Sequence, residues 1–137
     1  MKSTDSAEYT YTAGSTGSCL CGGVSYLIKG DIRHVVNCFC KQCQKTGGNF
    51  VAATRVAKDA IMLTQDSTLK WFTSSPGIRR GFCTQCGGNL FWDNAQGEEI
   101  SIMAGTLDQP TGLKTTLNIY TADASDFHIL PEIAGIE

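Results

Sequence analysis

Cys38-Phe39-Cys40-Lys41-Gln42-Cys43 is the stretch on which the reading of this chain turns. Three cysteines within six residues let one tight turn aim all three sulfurs at a single ion. On either side lie the remaining cysteines, in Cys19-Leu20-Cys21 and Cys83-Thr84-Gln85-Cys86. Neither pair fills a metal site alone, but together they supply four ligands. The seven thiols thus divide into one closed four-thiolate site and one three-thiolate site with a vacant position. A closed tetrahedral zinc holds a fold together, whereas an open one accepts water or substrate. C-x2-C is a common zinc-knuckle spacing, and Cys86-Gly87-Gly88 adds the flexible glycines that such a turn favours. Thiolates are soft ligands that suit zinc or iron–sulfur clusters, and no run matches a ferredoxin-type spacing, so two Zn²⁺ per chain are expected.

Other readings of the same cysteines stand beside this one. A disulfide framework needs an oxidising compartment and leaves one of seven cysteines over. A redox C-x-x-C at Cys83–Cys86 belongs near a βαβ pattern, which the sequence lacks. Unliganded buried cysteines rarely fall in three tight clusters. Nucleic-acid binding through zinc fingers wants a basic face, yet the formal charge is −2 and only Arg79-Arg80 are adjacent among the 11 Lys and Arg. Seven thiolates on two Zn²⁺ would make the balance more negative still.

With 137 residues, 42% hydrophobic and 18% charged, the chain has the length and composition of one globular domain. It shows no apolar run long enough for a bilayer and no signal-peptide pattern, and clustered thiols without an export signal point to a cytoplasmic setting. Residues 3–18 hold eight Ser or Thr and two Gly, which reads as a flexible leader or edge segment. The expected organisation is a leader over 1–16 and a single zinc-binding domain over 17–137.

Beyond the leader the pattern is mainly β, with short strands about ten residues apart. Candidate strands cover 24–28, 34–36 leading into the central cysteines, 50–56, 61–65, 69–73, a run into Cys83, 89–92, 100–107 and 115–121. Lys29-Gly30-Asp31, Ser74-Ser75-Pro76-Gly77 and Asp93 to Gly97 read as turns. One or two helical turns over Lys41 to Thr46 would put Cys40 and Cys43 on one face at i, i+3. The repeated Gly-Gly-Asn at 47–49 and 87–89 reads as turn geometry at two metal knuckles.

The ordered motifs resemble a known family. Gly17-Ser18-Cys19-Leu20-Cys21-Gly22-Gly23-Val24, Cys38-Phe39-Cys40-Lys41-Gln42-Cys43-Gln44-Lys45, Phe82-Cys83-Thr84-Gln85-Cys86-Gly87 and Ala104-Gly105-Thr106-Leu107-Asp108 look like the glutathione-dependent formaldehyde-activating enzyme family. The resemblance spans roughly residues 17–125. It implies several short coiled antiparallel sheets stapled by zinc knuckles, as in the Mss4-like superfamily, and two zinc ions. It places Cys19, Cys21, Cys83 and Cys86 on a structural zinc, and Cys38, Cys40 and Cys43 on an open, catalytic-type zinc. The chain departs from the family at Phe39, Asn118 and Phe127, where relatives often carry His, His and Trp.

The activity this implies is that of a carbon–sulfur lyase, adding a thiol such as glutathione to formaldehyde or a similar small electrophile, or the reverse. A carboxylate-bearing thiol needs local positive charge and amide donors, for which Lys45, Gly47 and Gly48 are the candidates, with Lys41 beside them. His34 and His128 are weaker candidates for a fourth ligand. Trp71, Phe72, Phe91 and Trp92 read mostly as sheet and core aromatics, and Asp108 as a turn residue. The rival reading is a non-catalytic binding module stabilised by two structural zincs.

Overall fold

Short runs rich in β-branched and aromatic residues, punctuated by Gly and Pro, favour strands over helices. The computed structural model describes residues 9–130 and 135–136, and among these it contains eleven strands and one α-helix. In chain order they are β1 (Tyr9–Ser18), β2 (Ser25–Arg33), β3 (Val35–Cys38), α1 (Lys41–Gly47), β4 (Val51–Ala57) and β5 (Ile61–Gln65). There follow β6 (Leu69–Ser75), β7 (Ile78–Cys83), β8 (Asn89–Asn94), β9 (Glu99–Met103), β10 (Thr115–Ile119) and β11 (Gly135–Ile136). The mainly-β expectation holds. No helix among the described residues is long and apolar enough to cross a membrane.

Three strands form an antiparallel sheet in the order β1-β2-β5, and eight form a second in the order β11-β10-β3-β4-β9-β8-β7-β6. Most pairings are antiparallel, but β10 runs parallel to both β3 and β11. The segment read as leader or edge segment is, from Tyr9 onward, an edge strand paired with β2, and residues 1–8 lie outside the described residues.

One turn signal was overridden. Lys29-Gly30-Asp31 lies inside β2, opposite an irregularity in β1 between Thr12 and Ser15. Gly30 takes φ +143, and a Cβ there would come within 3.1 Å of Ala60. The glycine lets the strand continue close to a neighbour instead of ending it.

The two faces of the large sheet have different fates, set by strand alternation except at Leu90, where a register irregularity between Gly81 and Phe82 lets it join Phe91 in the core. Val56 of β4, Leu90 and Phe91 of β8 and Ile102 of β9 pack with Val24, Tyr26, Ile28 and Ile32 in a common core. Cys19 and Cys83 belong to that core. Tyr26 meets Phe91 edge to face at 5.8 Å and shares a 2.6 Å hydrogen bond with Thr106, which satisfies its buried hydroxyl. On the opposite face, Val51, Ala53 and Arg55 of β4 line a cleft.

Asp93 at the end of β8 ties Arg79 of β7 and Lys58, in the short turn after β4, to one carboxylate. It is buried, with Lys58 Nζ at 3.1 Å and Arg79 Nε at 2.9 Å. Burial pushes its carboxyl up, but the Arg79 and Lys58 partners outweigh that and hold it below the ordinary carboxylate value. A depressed native pKa stabilises the fold above the unfolded value near 3.9 and loses that contribution as pH falls through the native value. Asp93→Asn is expected to cost about 1–2 kcal/mol at pH 7, because both cations are partly exposed and screened. Denaturant melts of the two proteins should differ at pH 7 and converge in acid.

Candidate metal centres

The first cluster joins two turns that are far apart in sequence. Cys19 and Cys21 sit in the β1–β2 connection, where Gly22 N–H donates to the Cys19 carbonyl at 3.1 Å. Cys83 closes β7 and Cys86 follows in the β7–β8 knuckle, where Gly87 N–H donates to the Cys83 carbonyl at 2.9 Å. Gly87 at φ +74 provides the left-handed step that a side chain would resist. All four sulfurs lie within 4.8 Å of one another, with Cys19–Cys21 at 3.7 Å and Cys21–Cys83 at 3.5 Å. A tetrahedral zinc with bonds of about 2.3 Å has ligand–ligand edges of about 3.8 Å, whereas a disulfide needs about 2.05 Å. The spacing fits a metal, and all seven cysteines are free thiols.

The surroundings of this cluster favour negative sulfur. The Thr68 hydroxyl lies 3.2 Å from Cys83 Sγ, and the Gln85 and Cys86 amides donate to it at 3.3 and 3.4 Å. Led by Thr68 and the Cys86 amide, these donors hold the Cys83 thiol down to about 6. The Gly23 amide pulls Cys21 the same way, but the adjacent Cys83 sulfur and burial outweigh it, and Cys21 rises to about 11. Val24 N–H adds a further donor to Cys19 Sγ at 3.4 Å.

The second cluster is local. Cys38 ends β3, Cys40 is the N-cap of α1, and Cys43 is buried on the first turn of that helix. The Cys40 sulfur accepts the Cys43 amide at 3.4 Å, so the ligand itself caps the helix. Strand pairing fixes Cys38 between Val51 of β4 and Ile119 of β10. The Gln44 side-chain amide donates to the Phe39 carbonyl at 2.8 Å and to that of Asp123 at 2.5 Å, bracing the loop from behind. The three sulfurs lie within 4.8 Å of one another, and no fourth His, Cys, Asp or Glu atom joins them among the described residues. Hydrogen bonding to Cys38, reinforced by burial, raises the Cys43 thiol, while the same contact lowers Cys38.

These sulfurs open onto a cleft of about 580 Å³ on the large sheet. Val36, Val51, Ala53, Met103, Ile78 and Ile119 give it an apolar floor. Arg33, Arg55, Arg80 and Lys41 make its polar lining strongly cationic, against Asp123 as the acidic member. Arg55 is oriented by a 3.3 Å bond from Nε to Ser101 and by the Trp92 ring, 5.8 Å from the guanidinium carbon. Arg33 is committed to the His34 and Ala53 carbonyls at 3.2 and 3.1 Å. Tyr120 stands on the rim, 59% exposed and in the left-handed region at φ 57, an uncommon state for a non-glycine residue.

Several sequence candidates fall elsewhere. Lys45, Gly47 and Gly48 are exposed on the helix and its cap and do not line the cleft. The Gly48 amide, expected to be available to a carboxylate, donates instead to the Gln44 carbonyl at 2.9 Å as the C-cap. His34 Nδ1 accepts from the Lys114 amide at 3.1 Å. His128 bonds Asn49 at 2.8 Å and packs 4.6 Å from the Phe39 ring. Asn118 is buried against Asn37, and Phe127 is 69% exposed. Asp108 accepts from the Thr16 hydroxyl at 2.6 Å and ties β1 to the segment after β9. Of the four aromatics, Trp92 lines the cleft.

The cleft arginines escaped the sequence reading. A signal did exist at Arg79-Arg80, since neighbours on a strand face opposite ways. Arg79 turns to Trp71 and Asp93, so Arg80 must turn to the cysteine side.

No curated protein matches the chain. Among solved structures, a Rhodobacter sphaeroides protein superposes with a TM-score of 0.59 at 17% identity, covering 71% of this chain and 91% of its own. At that identity the likeness supports the fold alone. The sequence profile of the glutathione-dependent formaldehyde-activating enzyme family matches residues 14–123, a span that holds both cysteine clusters and every lining residue of the cleft. On that match the chain belongs to the glutathione-dependent formaldehyde-activating enzyme family.

Proposed function

We propose that this protein is a zinc-dependent carbon–sulfur lyase that joins a small thiol such as glutathione to formaldehyde or a similar electrophile, or runs the reverse step. The observation that carries this reading is the three-sulfur cluster of Cys38, Cys40 and Cys43, which lacks a fourth ligand among the described residues and faces a cleft. In the same reading Cys19, Cys21, Cys83 and Cys86 hold a second, structural zinc. Zinc at the open cluster would lower the pKa of an incoming thiol and orient it. Attack of sulfur on the carbonyl carbon forms the C–S bond, moves the π electrons onto oxygen and, after protonation, gives an S-hydroxymethyl thiol.

The chain's own residues contribute position and exclusion of water. The apolar floor strips solvent from the path between sulfur and electrophile, and holding both together supplies much of the acceleration. Arg55 lies four residues along β4 from Val51, the partner of Cys38, hence about 13 Å from the cluster at strand spacing. That separation suits an extended thiol with a distant carboxylate, which a guanidinium binds through paired hydrogen bonds. Arg55→Ala is expected to weaken glutathione binding at least about tenfold and to leave 2-mercaptoethanol within about twofold. Lys45→Ala should leave glutathione affinity within about twofold. Titration calorimetry with the two thiols checks both.

Native mass spectrometry of chelator-free protein, with and without glutathione, tests the reading as a whole. Two zincs per chain and a glutathione adduct are expected. A fixed fourth protein ligand, or two zincs with no thiol adduct, would support the non-catalytic module instead.

A further inference from the structure

Arg80 is a buried cation without a carboxylate. It is 6% exposed, and the ion pairs among the described residues join Lys58 and Arg79 to Asp93, not Arg80 to anything. Each of its nitrogens nevertheless has an acceptor. Nη2 donates to Gln42 Oε1 at 3.0 Å, Nη1 to Thr46 Oγ1 at 3.4 Å and Nε to Ser74 Oγ at 3.3 Å. These neutral acceptors satisfy the hydrogen bonds but leave the charge in place, and a buried charge without a counter-charge is strongly unfavourable. The remaining contact is the Cys43 sulfur, 3.9 Å from Nη1, and it alone among these acceptors can be an anion.

The four-cysteine cluster offers the comparison. Its sulfurs receive the Val24, Gln85 and Cys86 amides and contact the Thr68 hydroxyl, all uncharged. That cluster is complete and has nothing to admit. The three-cysteine cluster on a divalent cation carries one net negative charge, and a further thiolate would make it two.

We propose that Arg80 is the counter-charge of the three-cysteine centre, offsetting its negative charge so that an anionic thiol can enter as the fourth ligand. This rests on reading that cluster as a zinc site. Arg80 acts through Cys43 and the α1 hydrogen bonds, so it is a positioning residue.

The test uses the full chain loaded with Co²⁺, with the visible spectrum followed as ligand is added. The two probes are 2-mercaptoethanol, which binds as an anion and has no carboxylate, and imidazole, which binds neutral. Arg80→Gln is expected to weaken 2-mercaptoethanol at least about tenfold, equivalent to about 1.4 kcal/mol, with imidazole within about twofold. Arg80→Lys, which keeps the charge and loses the fork, should hold thiol affinity within about threefold. Gln42→Glu covers the case in which Arg80→Gln does not fold. Gln42 is exposed, and a carboxylate in its place neutralises Arg80 from outside, so the same selective loss of thiol binding is expected. Equal losses for both probes, Arg80→Lys as weak as Arg80→Gln, or unchanged thiol affinity in Gln42→Glu would overturn the inference and leave the zinc reading standing. One metal per wild-type chain would overturn both.

Discussion

Cys83→Ser should leave the chain without a cooperative thermal transition and without its first metal. Cys83 is fully buried in the core, and its sulfur touches Cys21, Thr68 and two backbone amides. The cluster links the β1–β2 connection to the β7–β8 knuckle, and so ties the small sheet to the large one. A structural zinc supplies on the order of 10–16 kcal/mol of apparent binding free energy, against a typical domain stability of about 5–15 kcal/mol. Removing that tie should therefore consume most or all of the margin. A strong chelator added to wild-type protein should have the same result. Circular dichroism melts with metal analysis decide the matter. A variant that melts within a few degrees of wild type would show that packing, and not this cluster, holds the sheets together.

The second large effect is expected at Cys40. Serine is a good N-cap, so Cys40→Ser keeps the acceptor for the Cys43 amide and preserves α1 while deleting a thiolate. The variant should fold, retain one zinc and lose the glutathione adduct. Carbon–sulfur bond formation should fall at least about a hundredfold, because loss of a ligand exceeds the 10- to 100-fold effect of outer-shell changes. Native mass spectrometry and an S-hydroxymethyl-thiol assay check the two halves separately. Full activity with a single zinc would remove the open cluster from the reaction. Loss of both zincs would show that the two clusters fold as one unit.

The contrast between these variants follows from where each cluster sits. The four-cysteine cluster is continuous with the apolar core, with Cys19 and Cys83 buried beside Val24 and Leu90. The three-cysteine cluster lies at the end of β3 on the other face of the large sheet, with Cys38 and Cys40 partly exposed to a cleft. One position suits a staple and the other suits chemistry.

The sequence was sufficient wherever structure is set by near neighbours. Cys38, Cys40 and Cys43 meet because six residues bend through one helical N-cap, and the Ser75-Pro76-Gly77 turn follows from φ preferences of its own residues. The pairing of Cys19 and Cys21 with Cys83 and Cys86 was reached by counting ligands, which is a chemical constraint rather than a conformational one. It failed at Gly30, where a local turn signal yielded to pairing with β1 and the approach of Ala60. It also failed for the cleft. Lys45 looked like the substrate cation because it is close in sequence to the cysteines, yet the helix turns it outward. Arg55 and Arg80 reach the cleft from β4 and β7 because of the register of the eight-stranded sheet. A one-residue slip in either strand would send those side chains to the opposite face. Ligand count and strand content are thus properties of short segments, whereas the charge around the open sulfurs is decided by long-range strand pairing.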